Sequence, residues 1–193
     1  MLSPGFAGVT ARLLSIAGKD PRIAYVSACG NLWAPLDEQR RRSGEFMPMH
    51  ENWGAAMTRA SWLAERDFRR AYLDLVRGHP YKDRDHGRIK AFYASRGWDC
   101  KFTSQDAARW IASLERNAVR LSTFTCHARY IGKHGVHFTP KRFANGKFSH
   151  TVMYDGPAPQ LAAPTAEWIA SCLAQERRRF TGLGQAFYPS HGT

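Results

Sequence analysis

The chain is 193 residues long, enough for one domain with a full core or one core plus a small satellite, and its 44% hydrophobic and 23% charged content is that of an ordinary soluble globular protein. Its charge is less ordinary: 28 Lys+Arg against 16 Asp+Glu leave +12, which suits nucleic acid, an anionic membrane or an acidic protein. No apolar run approaches the ~18 residues that span a bilayer, and the N-terminal segment lacks the basic leader of a signal peptide, so no membrane partner and a cytoplasmic location are expected.

Residues 6–17 read as a short amphipathic helix ending at Gly18. Asp20-Pro21 can open a helix over 21–29, yet Ile23-Ala24-Tyr25-Val26 suits a strand equally. Cys29, Cys100, Cys126 and Cys172 are scattered with no CxxC pair, which argues against a zinc ribbon or thioredoxin-like site and for free thiols in a reducing compartment. Residues 34–52 hold Pro35, Gly44, Pro48 and the triplet Arg40-Arg41-Arg42, and read as an exposed connection with room for a short helix inside it. The clearest helix is expected over 53–77, where Trp53, Met57, Ala60, Ala64, Phe68, Tyr72 and Leu75 recur on one face until Gly78 and Pro80. A second helix is predicted from Thr103 or Ser104, burying Trp110, Ile111, Leu114 and Ala118. A third should start at Thr165, bury Trp168, Ile169 and Leu173, and end before Gly182 with Arg177-Arg178-Arg179 complementing its dipole.

From Arg116 to Tyr154 the chain runs 39 residues without an aspartate or glutamate. The stretch carries Arg116, Arg120, Arg129, Lys133, Lys141, Arg142 and Lys147, with four of the eight histidines and six aromatic rings among them. A cationic segment interleaved with rings fits a polyanion whose bases can stack. Alternation predicts three antiparallel strands, 122–131, 136–143 and 147–154, with Ala144-Asn145-Gly146 as the second turn. Phe124, Cys126, Ala128, Tyr130 and Val152 would then face helices, while His127, Arg129, His137, Thr139 and Lys141 point outward; His150 falls on the apolar side as a core histidine.

Cys126, His127, His134 and His137 match no standard zinc spacing. Asp83, Asp85 and His86 alternate with Lys82, Arg84 and Arg88 as a mixed-charge surface turn. There is no phosphate-binding glycine loop, Gly-x-Ser-x-Gly elbow or His-Glu-x-x-His, so no metal and no cofactor are expected.

Arg129-Tyr130-Ile131-Gly132-Lys133-His134 resembles the Tyr-Leu-Gly-Arg-Tyr nucleophile segment of two-tyrosine HUH insertion-sequence transposases, with His134 in place of the second tyrosine. Ser149-His150-Thr151-Val152-Met153-Tyr154-Asp155 resembles that family's following strand, and Ala166-Glu167-Trp168-Ile169 with Phe180 its later helix. The resemblance covers roughly 129–188 and implies attack of Tyr130 on a DNA phosphodiester to form a 5′-phosphotyrosine link.

The sequence thus predicts an α+β fold, a single domain over 1–193 with helices packed on one face of a small antiparallel β-meander. Its expected function is that of a basic nucleic-acid-binding protein, of the kind carried by mobile elements, phages or plasmids, rather than an enzyme. It would contact phosphates of a nucleic acid or nucleoprotein complex through His127, Arg129, Lys133, His137, Lys141, Arg142 and Lys147, with Arg40, Arg41 and Arg42 as a second patch. One alternative is metal-assisted DNA strand cleavage and transfer through Tyr130, with His127, His134 or His137 as ligands or bases. Another is a non-enzymatic inhibitor or adaptor that docks on an acidic protein, with Trp33, Trp53 and Trp98 as anchors.

Overall fold

A computed structural model describes residues 1–134 and 139–180. In chain order the elements are α1 (Phe6–Ala17), β1 (Ile23–Ser27), α2 (Leu36–Arg41), β2 (Phe46–Pro48), β3 (Ala55–Ala56), α3 (Arg59–Ala64), α4 (Arg66–Val76), α5 (His86–Ala94), α6 (Gln105–Glu115), β4 (Val119–Thr123), α7 (Pro140–Asn145) and α8 (Ala166–Phe180). The chain divides into two compact units. The first joins Met1–Thr58 to Arg120–Pro164, and the second joins Arg59–Val119 to the stretch that begins at Thr165. Among the described residues no helix is long and apolar enough to cross a membrane.

The first unit is built on a four-stranded sheet of order β2-β4-β1-β3. β1 pairs antiparallel with β3, Val26 opposite Ala56, and β2 pairs antiparallel with β4, Phe46 opposite Thr123. The fold is α+β as expected, but the sheet is mixed, which corrects the predicted meander. Every residue of the central strands β1 and β4 is buried, as in strands covered on both faces. That burial continues through residue 128 at both parities, so alternation along 122–131 carried no information about which side chains face water.

The connection 34–52 contains a short helix, α2, as the sequence allowed, and also the strand β2, whose Pro48 is tolerated at the sheet edge. Buried Gln39 ties this region together: its amide donates to the carbonyls of Ala34 and Val152, and its carbonyl accepts from the Cys126 N–H. Gly30, at φ 66°, lets the chain pass the Thr125 carbonyl, which a Cβ would overlap. The other two predicted strands are also corrected. Thr139 caps α7 by accepting the Arg142 N–H at 3.2 Å, Pro140 fills its first turn and Gly146 closes it. A 3-10 turn follows at Phe148–His150, and His150 is exposed instead of buried. Residues 135–138 of the second predicted strand lie outside the described residues.

The second unit is helical. The predicted helix over 53–77 is broken into α3 and α4, with Trp53 well before either and Ala60 and Ala64 exposed. Glu65 at the break is fully buried, and its carboxylate accepts from Arg69 at 2.6 Å and from the Ser113 hydroxyl at 3.1 Å, with Arg116 at 3.5 Å. Phe68, Tyr72, Tyr93, Trp98, Trp110, Ile111 and Phe180 form the core. Ser104 caps α6 and Asp85 caps α5, so the acidic turn at 83–86 serves as a helix start. Arg177 in the last turn of α8 donates to the Leu114 carbonyl and to Asn117 Oδ1, a structural anchorage for part of that triplet.

Candidate nucleic-acid interface

Short local signals in the first unit assemble an aromatic cluster. The α7 helix presents Phe143, and the turn after Gly146 presents Phe148, both buried with Leu32 and Cys126. Trp33 Nε1 donates to the Gly146 carbonyl at 2.9 Å and fixes that turn. The Tyr130 ring stacks on Trp53 at 4.4 Å and 21°, and Phe148 lies 5.6 Å from each of them. Trp33, Trp53 and Tyr130 are only partly buried. Tyr130 lies outside any helix or strand.

The cations lie in the same chain segments as these rings. Arg129 is half-buried, while Lys133, Lys141, Arg142 and Lys147 are exposed. Lys133 Nζ is 5.8 Å from the Phe143 ring centroid. Among the described residues Arg129, Lys133, Lys141 and Lys147 make no ion pair with a carboxylate. Lys147 holds a left-handed backbone, φ 52° and ψ 26°, which costs a residue with a Cβ roughly 1 kcal/mol. Two other cations of the acid-free stretch are used by the fold. Arg116 pairs with Glu65, and Arg120 is fully buried, bonded to Asn52 Oδ1 and 5.2 Å from the Tyr25 ring centroid.

The second predicted patch is neutralised within the chain. Arg40 pairs with Asp155 at 3.0 Å and Arg41 with Asp37 at 2.9 Å, while Arg42 reaches Glu38 at 3.0 Å and Glu45 at 2.8 Å and lies over the Phe124 ring. Three guanidinium groups meet four carboxylates there, which leaves no local excess of positive charge.

His127, predicted on an outward face, is buried. Its Nδ1 lies 3.2 Å from Ser3 Oγ and its Nε2 3.0 Å from Thr125 Oγ1, and its ring meets Tyr154 edge-on. Burial pulls its pKa below the ordinary histidine value. His134 is exposed, and His137 lies outside the described residues. The Cys126 thiol donates to the Ala128 carbonyl, and burial pushes its pKa up to about 12, so it stays protonated at neutral pH. Among the described residues no three His, Cys, Asp or Glu side chains gather where they could hold a metal ion.

Beside the stacked pair opens a pocket of about 210 Å³, lined by Trp53, Tyr130, Cys29, Leu2, Ala128 and Arg129 among others. Leu2 bridges to Ala128, and the Met1 amine donates to the Arg129 carbonyl at 2.8 Å. Sequence reasoning missed this pocket and the clustering of Trp33 and Trp53 with Tyr130. It also read 136–143 as a strand although Thr139-Pro140 and Gly146 spell a helix start and stop. No family model, curated protein or solved structure matches the chain.

Proposed function

We propose that the protein binds nucleic acid, free or within a nucleoprotein complex, through the first unit's aromatic cluster and the cations bordering it. The observation that carries this reading is charge placement. Arg129, Lys133, Lys141 and Lys147 have no carboxylate partner among the described residues; Arg129 and Lys147 are next in sequence to Tyr130 and Phe148, Lys133 lies 5.8 Å from the Phe143 ring centroid, and Lys141 shares α7 with Phe143. Unneutralised cations supply phosphate contacts, and half-exposed rings supply surfaces on which bases stack. An acidic protein would also meet the charge and could anchor on Trp33 and Trp53, so the test includes a protein partner as an outcome. In this reading Tyr130 contributes a ring face rather than a nucleophile.

The test is the salt dependence of binding to a labelled oligonucleotide. Affinity should fall steeply as salt rises. Lys141→Glu should weaken binding and reduce the log–log slope by about one unit, because one phosphate fewer is neutralised. An unaltered slope in that variant removes this surface from the reading. Retention of a protein partner after nuclease treatment, with no oligonucleotide binding, replaces the reading with protein docking.

A further inference from the structure

Resting on the nucleic-acid reading, we infer that the pocket beside Trp53 and Tyr130 receives one unpaired nucleobase, so that the preferred partner is a single strand. Its volume, about 210 Å³, is below the roughly 300–1,000 Å³ of sites for drug-sized ligands and suits one small planar group. Its wall combines the stacked Trp53–Tyr130 pair with the apolar side chains of Leu2 and Ala128. The Cys29 thiol in that wall donates to the Trp53 carbonyl at 2.8 Å, so its hydrogen is already engaged.

Backbone groups along the rim are also engaged. The Arg129 carbonyl accepts from the Met1 amine, and the Arg129 N–H donates to the Met1 carbonyl. With these groups engaged, the side chains of the wall offer chiefly rings and apolar surface, which favours stacking over base-specific reading. Arg129 is the charged side chain in the wall, and it carries no ion pair among the described residues. A lipid tail or apolar peptide would fill such a pocket without using that charge or Lys133, which follows the lining residue Gly132. A base in a duplex is stacked and paired and cannot enter until it is turned out of the helix.

Three ligands read by fluorescence anisotropy test this: an oligothymidylate of about 12 nucleotides, an abasic strand of the same length, and a duplex, all at low salt. The oligothymidylate should bind about tenfold tighter than the abasic strand, as expected for one stacked base. Ala128→Leu, which fills the pocket, should bring it down to the abasic affinity. Equal affinity for all three ligands overturns the base pocket and leaves phosphate binding standing. Binding of none of them overturns the nucleic-acid reading itself. The wild-type comparison decides the matter even where Ala128→Leu fails to fold.

Discussion

His127 is held neutral by its surroundings. Both ring nitrogens face hydroxyls, Ser3 Oγ and Thr125 Oγ1, which can reorient to donate or accept, so removal from water is what disfavours the imidazolium. The unfolded chain titrates near the ordinary histidine value of 6.5 and the folded one below it. Above that value both states are neutral and the full stability is present. As the pH falls, the unfolded chain takes the proton first, and stability is lost until the folded pKa is passed. Denaturant melts across this range should show the decline, and His127→Gln should flatten it. Lys147 sets up the opposite comparison. Its left-handed backbone suits Asn better than Lys, so Lys147→Asn should hold or raise the melting temperature while weakening oligonucleotide binding. A parallel loss of both would place the lysine in the scaffold instead.

The α7 helix has six residues, too few to be stable in isolation, so its cap and its packing through Phe143 maintain it. Thr139→Ala removes the acceptor for the Arg142 N–H and should cost about 1 kcal/mol, with Thr139→Ser restoring most of it. Because α7 carries Lys141 and Arg142 beside the cluster, the same variant should weaken binding, measurable in the anisotropy titration. Legibility in the sequence varied by element for a physical reason. Helices closed by strong local signals were readable: α1 before Gly18, α6 after Ser104, α8 after Thr165. The segment 122–154 was not. Burial on both sides of 121–128 removes the contrast that alternation relies on, and a six-residue helix is too short to display its own period. The 53–77 stripe failed because the face turned inward at the start of the second unit is polar, Ser61 and Glu65, with apolar residues taking over only from Phe68.

At the scale of the whole molecule, the net charge of +12 is unevenly available. Arg40, Arg41 and Arg42 stand opposite Asp155, Asp37, Glu38 and Glu45, whereas Arg129, Lys133, Lys141 and Lys147 face no carboxylate among the described residues. Exposed pairs of this kind add little stability, yet they cancel the local field that would attract phosphate. Replacing Arg40 and Arg41 with Gln should therefore leave oligonucleotide affinity and its salt slope nearly unaltered. The same replacement at Lys141 and Lys147 should lower both, and equal effects from the two pairs would show that net charge alone drives binding.

By itself the sequence determined the helix ends that are marked by capping residues, the α+β class, and a long stretch without acids between Arg116 and Tyr154. Each depends on residue types close together in the chain. Only the tertiary structure decided which cations of that stretch stay available, that His127 turns inward, and that Trp53 meets Tyr130. Ion pairing and burial are set by neighbours in space, and Glu65 with Arg116, Asn52 with Arg120, and Ser3 with His127 are all far apart in the chain.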